Sequence, residues 1–339
     1  MQPLAKDHLS SSYFTLLQTP SGGRSLFATV PIPANTLIHI SHTPCASVIY
    51  REFRKVVCAW CFTHNDQGRS GWCSLGNARE RFCEEVCRDF WVADGLRCGG
   101  LRERVDNAID AAVRRMHKSK ATLMSLPDLA NARPDVALEI TQTNLDAAWM
   151  TAERKTATMT QLDEMELEIA RFVSSGLIQL HIGSISQGTI AGTSPSILAL
   201  QENELPQTLQ KPYILSTHIR ISQFLRVALS SIPEMRTYVS VDENGKGWVR
   251  NILSRDAGNS FGIWEQSQRG DPEEREMFGW GIWIDASFFN HSMFFFTLSK
   301  FSQALHDFRL YSQRDKDTLG SRSPFHYHEG YRCRGGVVY

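Results

Sequence analysis

Cysteines with metal-ligand spacing are the first residues in this chain whose pattern could support chemistry. Six of its eight cysteines fall within residues 58–98. Four of these form two close pairs, Cys58 with Cys61 and Cys83 with Cys87. Each short spacing lets one turn present two sulfurs to the same ion, and four thiolates complete tetrahedral zinc without an open position. The pattern therefore predicts a structural zinc site, whereas a disulfide framework would suit a short secreted chain better.

Two alternatives to a single zinc ion stay open at this point. Cys73 and Cys98, with His64 as the nearest spare imidazole, could form a second and irregular metal site. All of the clustered cysteines could instead be reduced thiols without a metal, packed as small hydrophobic side chains. A closed four-thiolate site would do no chemistry itself. Its role would be to fold a segment that is too small for a core of its own.

A second group of residues has the types that bind a small zwitterionic ligand. Backbone amides in a glycine turn such as Gly22–Ser25 can receive a carboxylate. Asn259 and Asn290 offer amide groups, which both donate and accept hydrogen bonds and so suit a ligand that carries both charges. Taken alone, the glycine turn is more often part of a hairpin, and His291 is more often a structural histidine. Only their joint occurrence favours a binding site.

Three pieces of the sequence, taken in order, resemble the SET-domain methyltransferases. They are the glycine turn Gly22–Thr29, the segment Asn259–Ile263, and Asn290–Ser292 at the end of an aromatic run. The cysteine segment between the first and second pieces resembles a MYND-type zinc insert, so the chain is similar to the SMYD-like proteins. The resemblance covers about residues 13–292. Its four paired cysteines match the first of the two interleaved zinc sites of a MYND module.

This resemblance implies an α+β fold, in which the small β-sheets of a SET domain are split by a zinc-binding insert and a helical insertion. It implies S-adenosylmethionine as the cofactor, and zinc held by Cys58, Cys61, Cys83 and Cys87. The residues that it assigns to the cofactor are Gly23, Arg24, Ser25, Asn259, Ser287, Phe289, Asn290 and His291. The aromatic residues between Phe278 and Phe289 could line a channel for a lysine stem, or they could pack in the core.

The activity that the resemblance implies is N-methylation of lysine in a protein or peptide substrate, with histones among the candidates. The transfer needs a neutral amine, although free lysine has a pKa of about 10.4. After Ser292 the family's later strands and its catalytic tyrosine have no counterpart, so no catalytic residue is assigned. Residues 293–339 are interpreted as an unspliced intron or a shifted reading frame, with a divergent tail as the alternative.

The consequence expected from this tail is an enzyme that is weak or inactive. The alternative function is a non-catalytic, zinc-dependent protein-interaction module on a degenerate SET scaffold. The two hypotheses share the zinc site and differ in whether the chain binds the cofactor and transfers a methyl group.

The elements that must position these residues follow from the composition along the chain. The predicted segments are an N-terminal part of the SET domain at 13–50, a zinc insert at 51–100, a helical insertion at 101–235, a SET core at 236–292 and an unmatched tail at 293–339. Within the insertion, Val105, Ile109 and Met116 recur at helical steps, which predicts an amphipathic helix.

Further helices are predicted around 142–156, 160–180 and 212–230, and the Gly- and Ser-rich stretch 183–206 is predicted to be a flexible loop. Short strands are predicted at Trp248–Leu253 and Ser260–Trp264, after the turn that follows Asp242. The site residues are thus expected to lie on short strands and turns, with the helices packed around them.

The charge balance excludes some classes of partner. The chain has 36 basic and 36 acidic residues, so its overall charge favours neither nucleic acid nor an anionic membrane. Around the cysteines, arginines alternate with glutamates and aspartates, so no basic stripe forms for nucleic acid. No apolar run approaches the roughly 18 residues that span a bilayer. We therefore predict a soluble intracellular protein of the nucleus or cytoplasm, with no direct contact to membrane or nucleic acid.

Overall fold

The computed structural model describes most of the chain between Tyr13 and Phe289. The described residues are 13–19, 23–33, 36, 38–39, 41, 43–65, 72–75, 80–118, 140–155, 159–186, 197–241, 246–265 and 275–289. Asn290, His291 and the predicted tail at 293–339 lie outside them.

The strands form small antiparallel sheets. In chain order they are β1 (Phe14–Thr19), β2 (Gly23–Ala28), β3 (Ala46–Ile49), β4 (Cys73–Ser74), β5 (Arg81–Phe82), β6 (Ser260–Trp264) and β7 (Met277–Ile282). β1 pairs with β2, and β4 pairs with β5. β7 is the central strand of a three-stranded sheet, with β3 on one side and β6 on the other. Ala46 and Ser260 both pair with Ile282. This sheet therefore joins β3, which precedes the helices, to β6 and β7, which follow them.

Helices make up most of the described chain between β5 and β6. They are α1 (Glu85–Arg97), α2 (Leu101–Lys118), α3 (Gln142–Arg154), α4 (Glu164–Ser186), α5 (Glu204–Gln210), α6 (Tyr213–Ala228), α7 (Arg236–Val239) and α8 (Trp248–Asp256). Short 3-10 helices lie at Ile197–Ala199, Pro233–Met235 and Ala286–Phe288. None of the described helices is both long and apolar enough to cross a membrane.

α4 is the helix around which the main core forms. It packs against β3 and also contacts α2, α6 and α8. Gly176 allows the close approach to β3, since a Cβ at this position would lie 3.1 Å from the Cβ of Ala46 and 2.9 Å from Cδ1 of Ile252. The Ser175 hydroxyl accepts a hydrogen bond from the Ser47 amide and donates one to the Ser47 carbonyl, both at 2.8 Å. These contacts hold the helical region on the sheet.

Most of the predicted helices are confirmed. The periodic residues of α2 are fully buried or nearly so, and helices α3, α4 and α6 lie where the apolar pattern placed them. The strand predicted at Trp248–Leu253 is wrong, because this segment forms α8. Val249, Ile252 and Leu253 follow each other at steps of three and one, which places all three on one buried helical face.

The loop predicted at 183–206 is wrong at both ends, where the described residues include helix. α4 continues to Ser186, a 3-10 turn starts at Ile197, and α5 begins at Glu204. Residues 187–196 lie outside the described part of the chain. The mixture of small sheets with helices is the α+β class that the resemblance implied, whereas the division into a SET core and inserts stays a prediction.

Candidate functional site

The four paired cysteines meet in space. Their sulfur atoms all lie within 4.8 Å of one another. Sγ of Cys61 is 3.4 Å from Sγ of Cys83, which in turn is 3.6 Å from Sγ of Cys87. Tetrahedral zinc with bonds of about 2.3 Å places its sulfurs roughly 3.8 Å apart. The donor set and its spacing therefore fit a closed four-thiolate zinc site.

The turn at residues 58–63 and the N-terminus of α1 present these sulfurs. The Cys58 amide donates to the Thr63 carbonyl at 2.9 Å, and the Phe62 amide donates to the Cys58 carbonyl at 3.0 Å. Phe62 has a φ of 61°, the left-handed conformation that closes this turn. Cys83 precedes the first turn of α1, and Cys87 lies within it. The partial positive charge of a helix N-terminus favours thiolates at these two positions.

The core of this module is small. Cys58, Cys87 and Phe82 are its buried residues, and partly buried aromatic side chains such as Trp72 pack around them. Hydrogen bonds from the neighbouring thiols of Cys61, Cys83 and Cys87 lower the pKa of Cys58. A core of this size contributes little stability by itself. Four metal–sulfur bonds would therefore supply much of the folding free energy of the segment.

The alternative of a second zinc site made from Cys73, Cys98 and His64 is wrong. Cys98 donates its thiol hydrogen to the Gly95 carbonyl at 3.1 Å and packs in the main core. Cys73 lies in the small core of the cysteine module, and the His64 ring packs 4.5 Å from the ring of Phe278. Within the described residues, the four paired cysteines are the one group with metal-binding geometry.

The residues that the resemblance assigns to the cofactor are divided among three elements. Gly23, Arg24 and Ser25 lie on β2, opposite residues 17–19 of β1. The pairing of β1 with β2 confirms the hairpin interpretation of the glycine turn, while Gly22 itself lies outside the described residues. A hairpin and a ligand-binding turn are compatible, because the backbone amides at the tip of a hairpin are not all used in the strand pairing.

Asn259 has a structural task that the sequence pattern did not reveal. It is buried, and its Nδ2 donates to the Gln201 carbonyl at 3.0 Å and to the Arg255 carbonyl at 2.8 Å. Both amide hydrogens are therefore used to hold the end of α8 against the segment before α5. Oδ1 is the side-chain atom left to meet a ligand.

Ser287 and Phe289 join the other pieces. The Ser287 hydroxyl lies 3.0 Å from the Asn259 carbonyl, to which it donates, and 2.9 Å from the Trp283 carbonyl. The Phe289 ring packs edge-on against Phe14 of β1, with centroids 5.5 Å apart. The structure thus brings the hairpin, the Asn259 turn and the segment after β7 together. It does not describe Asn290 or His291.

His39 is a neighbour of this region that the sequence analysis missed. Its ring lies 5.3 Å from that of Phe289, and its Nε2 is 2.8 Å from the Ser41 hydroxyl. A single histidine in an irregular segment carries no motif, so only the tertiary contact could have indicated it.

Asp256, the last residue of α8, is a carboxyl beside this region whose pKa is shifted. Burial raises its pKa to about 6, although a hydrogen bond from the Ser260 hydroxyl opposes the rise. The residue lies three positions before Asn259. A carboxyl in this environment carries a proton at mildly acidic pH.

The aromatic run belongs to the core. Phe278 packs 4.9 Å from Phe53, and Trp280 packs 5.4 Å from Phe172 of α4. Trp283 and Phe288 are also buried, at 3% and 6% exposure, among apolar neighbours. These contacts favour the core-packing interpretation over a lysine channel for these four side chains.

Comparison with known proteins gives a similarity over most of the chain. The chain is 25% identical over 318 aligned residues to a protein of Saccharomyces cerevisiae (strain ATCC 204508 / S288c) named Potential protein lysine methyltransferase SET6. The alignment covers 84% of this chain and 80% of that relative. No family model matches the chain. A similarity that extends over most of both chains supports, at the level of the family, the resemblance to SET-type methyltransferases that the motifs indicated.

Proposed function

We propose that the chain is an S-adenosylmethionine-dependent protein-lysine N-methyltransferase of the SET type, with one structural zinc in a MYND-like insert. The observation that carries this proposal is the meeting of the β1–β2 hairpin, Asn259 and Ser287–Phe289 at one place. These are the pieces that bind the cofactor in the family that the chain resembles. The similarity to a protein named as a potential lysine methyltransferase supports the same conclusion.

The chain's own residues would bind and orient the cofactor. The backbone of Gly23–Ser25 would receive its carboxylate, and Asn259 Oδ1 would accept from its amino or hydroxyl groups. Asn290 and His291 complete the set that the resemblance assigns. When bound, S-adenosylmethionine supplies a methyl group on a sulfonium sulfur. The substrate would be a lysine of a protein or peptide, histones among the candidates, and no catalytic group is assigned.

The zinc would act on structure alone. Cys58, Cys61, Cys83 and Cys87 would occupy all four of its positions, which leaves none for water or substrate. Metal binding would therefore stabilise the cysteine module without entering the reaction.

Binding of S-adenosylhomocysteine, measured by calorimetry, tests the cofactor site. We expect the Asn290→Ala variant to weaken binding at least tenfold, and Asn107→Ala, on the exposed face of α2, to leave it unchanged. A radiolabelled methyl-transfer assay on histones and on lysate proteins then tests activity, which we expect to be weak or absent because residues 293–339 offer no counterpart of the family's catalytic tyrosine. Binding that is equally strong in both variants would contradict the proposed cofactor site.

A non-catalytic interaction module is the second candidate function. The closed four-cysteine cluster and its exposed surroundings, including Val86 at 40% exposure, favour it. A protein that retains zinc, has no affinity for S-adenosylhomocysteine and still captures peptides would support this function over methyl transfer.

A further inference from the structure

A cleft separates the cysteine module from the rest of the molecule. It lies between that module, β3 and helices α2 and α4, and its main cavity has a volume of about 130 Å³. A smaller cavity of about 50 Å³ adjoins it and shares Phe62, Trp91 and Arg102 as lining residues. We call the two together the insert cleft. None of the described residues assigned to the cofactor lines it.

The arginines of the insert cleft are already neutralised. Each of the three that line it forms a partly buried salt bridge, so the three pairs contribute no net charge. The pairs are Arg54 with Glu168 at 2.5 Å, Arg102 with Asp94 at 2.6 Å, and Arg171 with Asp110 at 2.7 Å.

Two further carboxylates, Asp106 and Glu80, line the same cleft. Among the described residues neither has a hydrogen bond or a salt bridge. Burial raises the pKa of Asp106, the negative charge of Glu80 raises it further, and the three arginines oppose the rise. When both are ionised, the described charged groups of the cleft, counted with the three partner carboxylates, sum to two negative charges. The raised pKa of Asp106 marks its charge as poorly solvated. A cation that entered would relieve this repulsion.

Aromatic side chains also line the cleft. Trp91 and Phe62 line both cavities, and Trp60 lines the smaller one. The guanidinium of Arg102 already lies over the Trp91 ring, with its Cζ 4.3 Å from the centroid. Aromatic faces attract cations, and they also cover the aliphatic stems of long basic side chains.

One buried donor completes the site. The Nε of Arg102 has no hydrogen-bond partner among the described residues. A buried donor without an acceptor costs stability, so a ligand that carries a carbonyl oxygen beside its cation would be favoured. A peptide has both groups, whereas a free metal ion has neither the carbonyl nor the apolar stem.

We propose that the insert cleft binds a lysine or arginine side chain of a partner peptide, with Asp106 and Glu80 as its counter-charges. The main cavity, at about 130 Å³, is large enough for one long side chain. Phosphates of nucleic acid and acidic peptides would be repelled. This site is distinct from the proposed cofactor site and does not depend on methyl transfer.

Fluorescence anisotropy on the full chain with zinc, without cofactor, tests the proposal. The probe is a fluorescein-labelled nonapeptide of glycine and serine that contains two lysines. Matched probes carry acetyl-lysine or glutamate at the same positions. We expect the lysine probe to bind at least tenfold more tightly than either. Equal binding of the acetylated probe, tighter binding of the glutamate probe, or no binding of the lysine probe would overturn the proposal.

Variants then locate the binding. Asp106→Asn and Glu80→Gln should each weaken the lysine probe about tenfold, while Glu103→Gln, exposed on the same helix as Asp106, should change it less than twofold. Asp106→Asn removes an unpaired and poorly solvated charge, so we expect it to fold, and its thermal unfolding verifies this. Unchanged affinity in both cleft variants would place the peptide elsewhere. Cofactor binding, measured separately, shows whether the proposed function has failed independently.

Discussion

The hydroxyl of Ser287 donates a hydrogen bond to the backbone carbonyl of Asn259 at 3.0 Å, across 28 residues of chain. Ser287 lies in the 3-10 helix that follows β7, and Asn259 lies immediately before β6. The same Asn259 side chain binds the end of α8 and the segment before α5. Two polar residues therefore fix the relative positions of four elements beside the candidate cofactor site.

Removing this hydroxyl should affect both stability and ligand binding. We expect Ser287→Ala to lower the free energy of unfolding by about 1 kcal/mol, because a partly buried carbonyl loses a donor. Affinity for S-adenosylhomocysteine should fall as well, since the Asn259 turn loses its anchor. Denaturant unfolding and calorimetry measure the two effects. Ser216→Ala, at an exposed hydroxyl on α6, is the control and should change neither.

Zinc content tests the cysteine module. We expect about one zinc per chain by metal analysis, because one group of four sulfurs within the described residues has the required spacing. Cys83→Ser and Cys87→Ser should lose the metal and unfold at lower temperature, since a structural zinc contributes folding free energy directly.

Cys73→Ser is the matched control, because Cys73 lies in the same module but outside the four-sulfur group. It should retain the metal. A protein with two zinc ions per chain, or full stability in the Cys83 and Cys87 variants, would contradict this assignment.

The stability of the chain should depend on pH through Asp256. Its folded pKa of about 6 is raised from an ordinary value near 3.8, so the folded state favours the protonated form. Its stabilising contribution is complete below pH ~4, is lost as the pH rises to about 6, and stays lost above that. Two pKa units correspond to roughly 3 kcal/mol.

Asp256→Asn should therefore be more stable than the unmodified chain at pH 8, and the difference should shrink toward pH 4. Chemical unfolding at a series of pH values measures it. Glu52→Gln, at an exposed position near the same sheet, should leave the pH profile in place. A difference between the Asp256 variant and the unmodified chain that does not change with pH would show that this carboxyl is already charged throughout.

Two glycines of α4 form a matched pair for testing the contact with the sheet. Gly176→Ala should destabilise by about 1–3 kcal/mol, because the added Cβ meets Ile252 and Ala46 at 2.9 and 3.1 Å. Gly183→Ala has nothing within 4 Å and should stabilise by up to ~1 kcal/mol through helix propensity. Thermal unfolding of both variants measures these changes. A stabilising Gly176→Ala would show that α4 can move away from β3 without cost.

The sequence by itself determined the features that depend on short-range spacing. The Cys58–Cys61 and Cys83–Cys87 pairs each fall within one turn, so their role as a four-sulfur group could be predicted before any fold was known. The buried face of α2 follows equally from its three- and four-residue steps. The motif pieces around Gly23, Asn259 and Ser287 were recognisable because each is a short local pattern.

Only the tertiary structure decided which distant residues meet and what they do there. Trp248–Leu253 looked like a strand, but burial of Val249, Ile252 and Leu253 against the core selects a helix. Nothing in the chain order indicated that the amide hydrogens of Asn259 are used by backbone carbonyls. Likewise, the carboxylates of Asp106 and Glu80 become neighbours only when the cysteine module packs beside α2. Local spacing sets local geometry, whereas desolvation, pairing and charge balance depend on neighbours that folding brings from elsewhere in the chain.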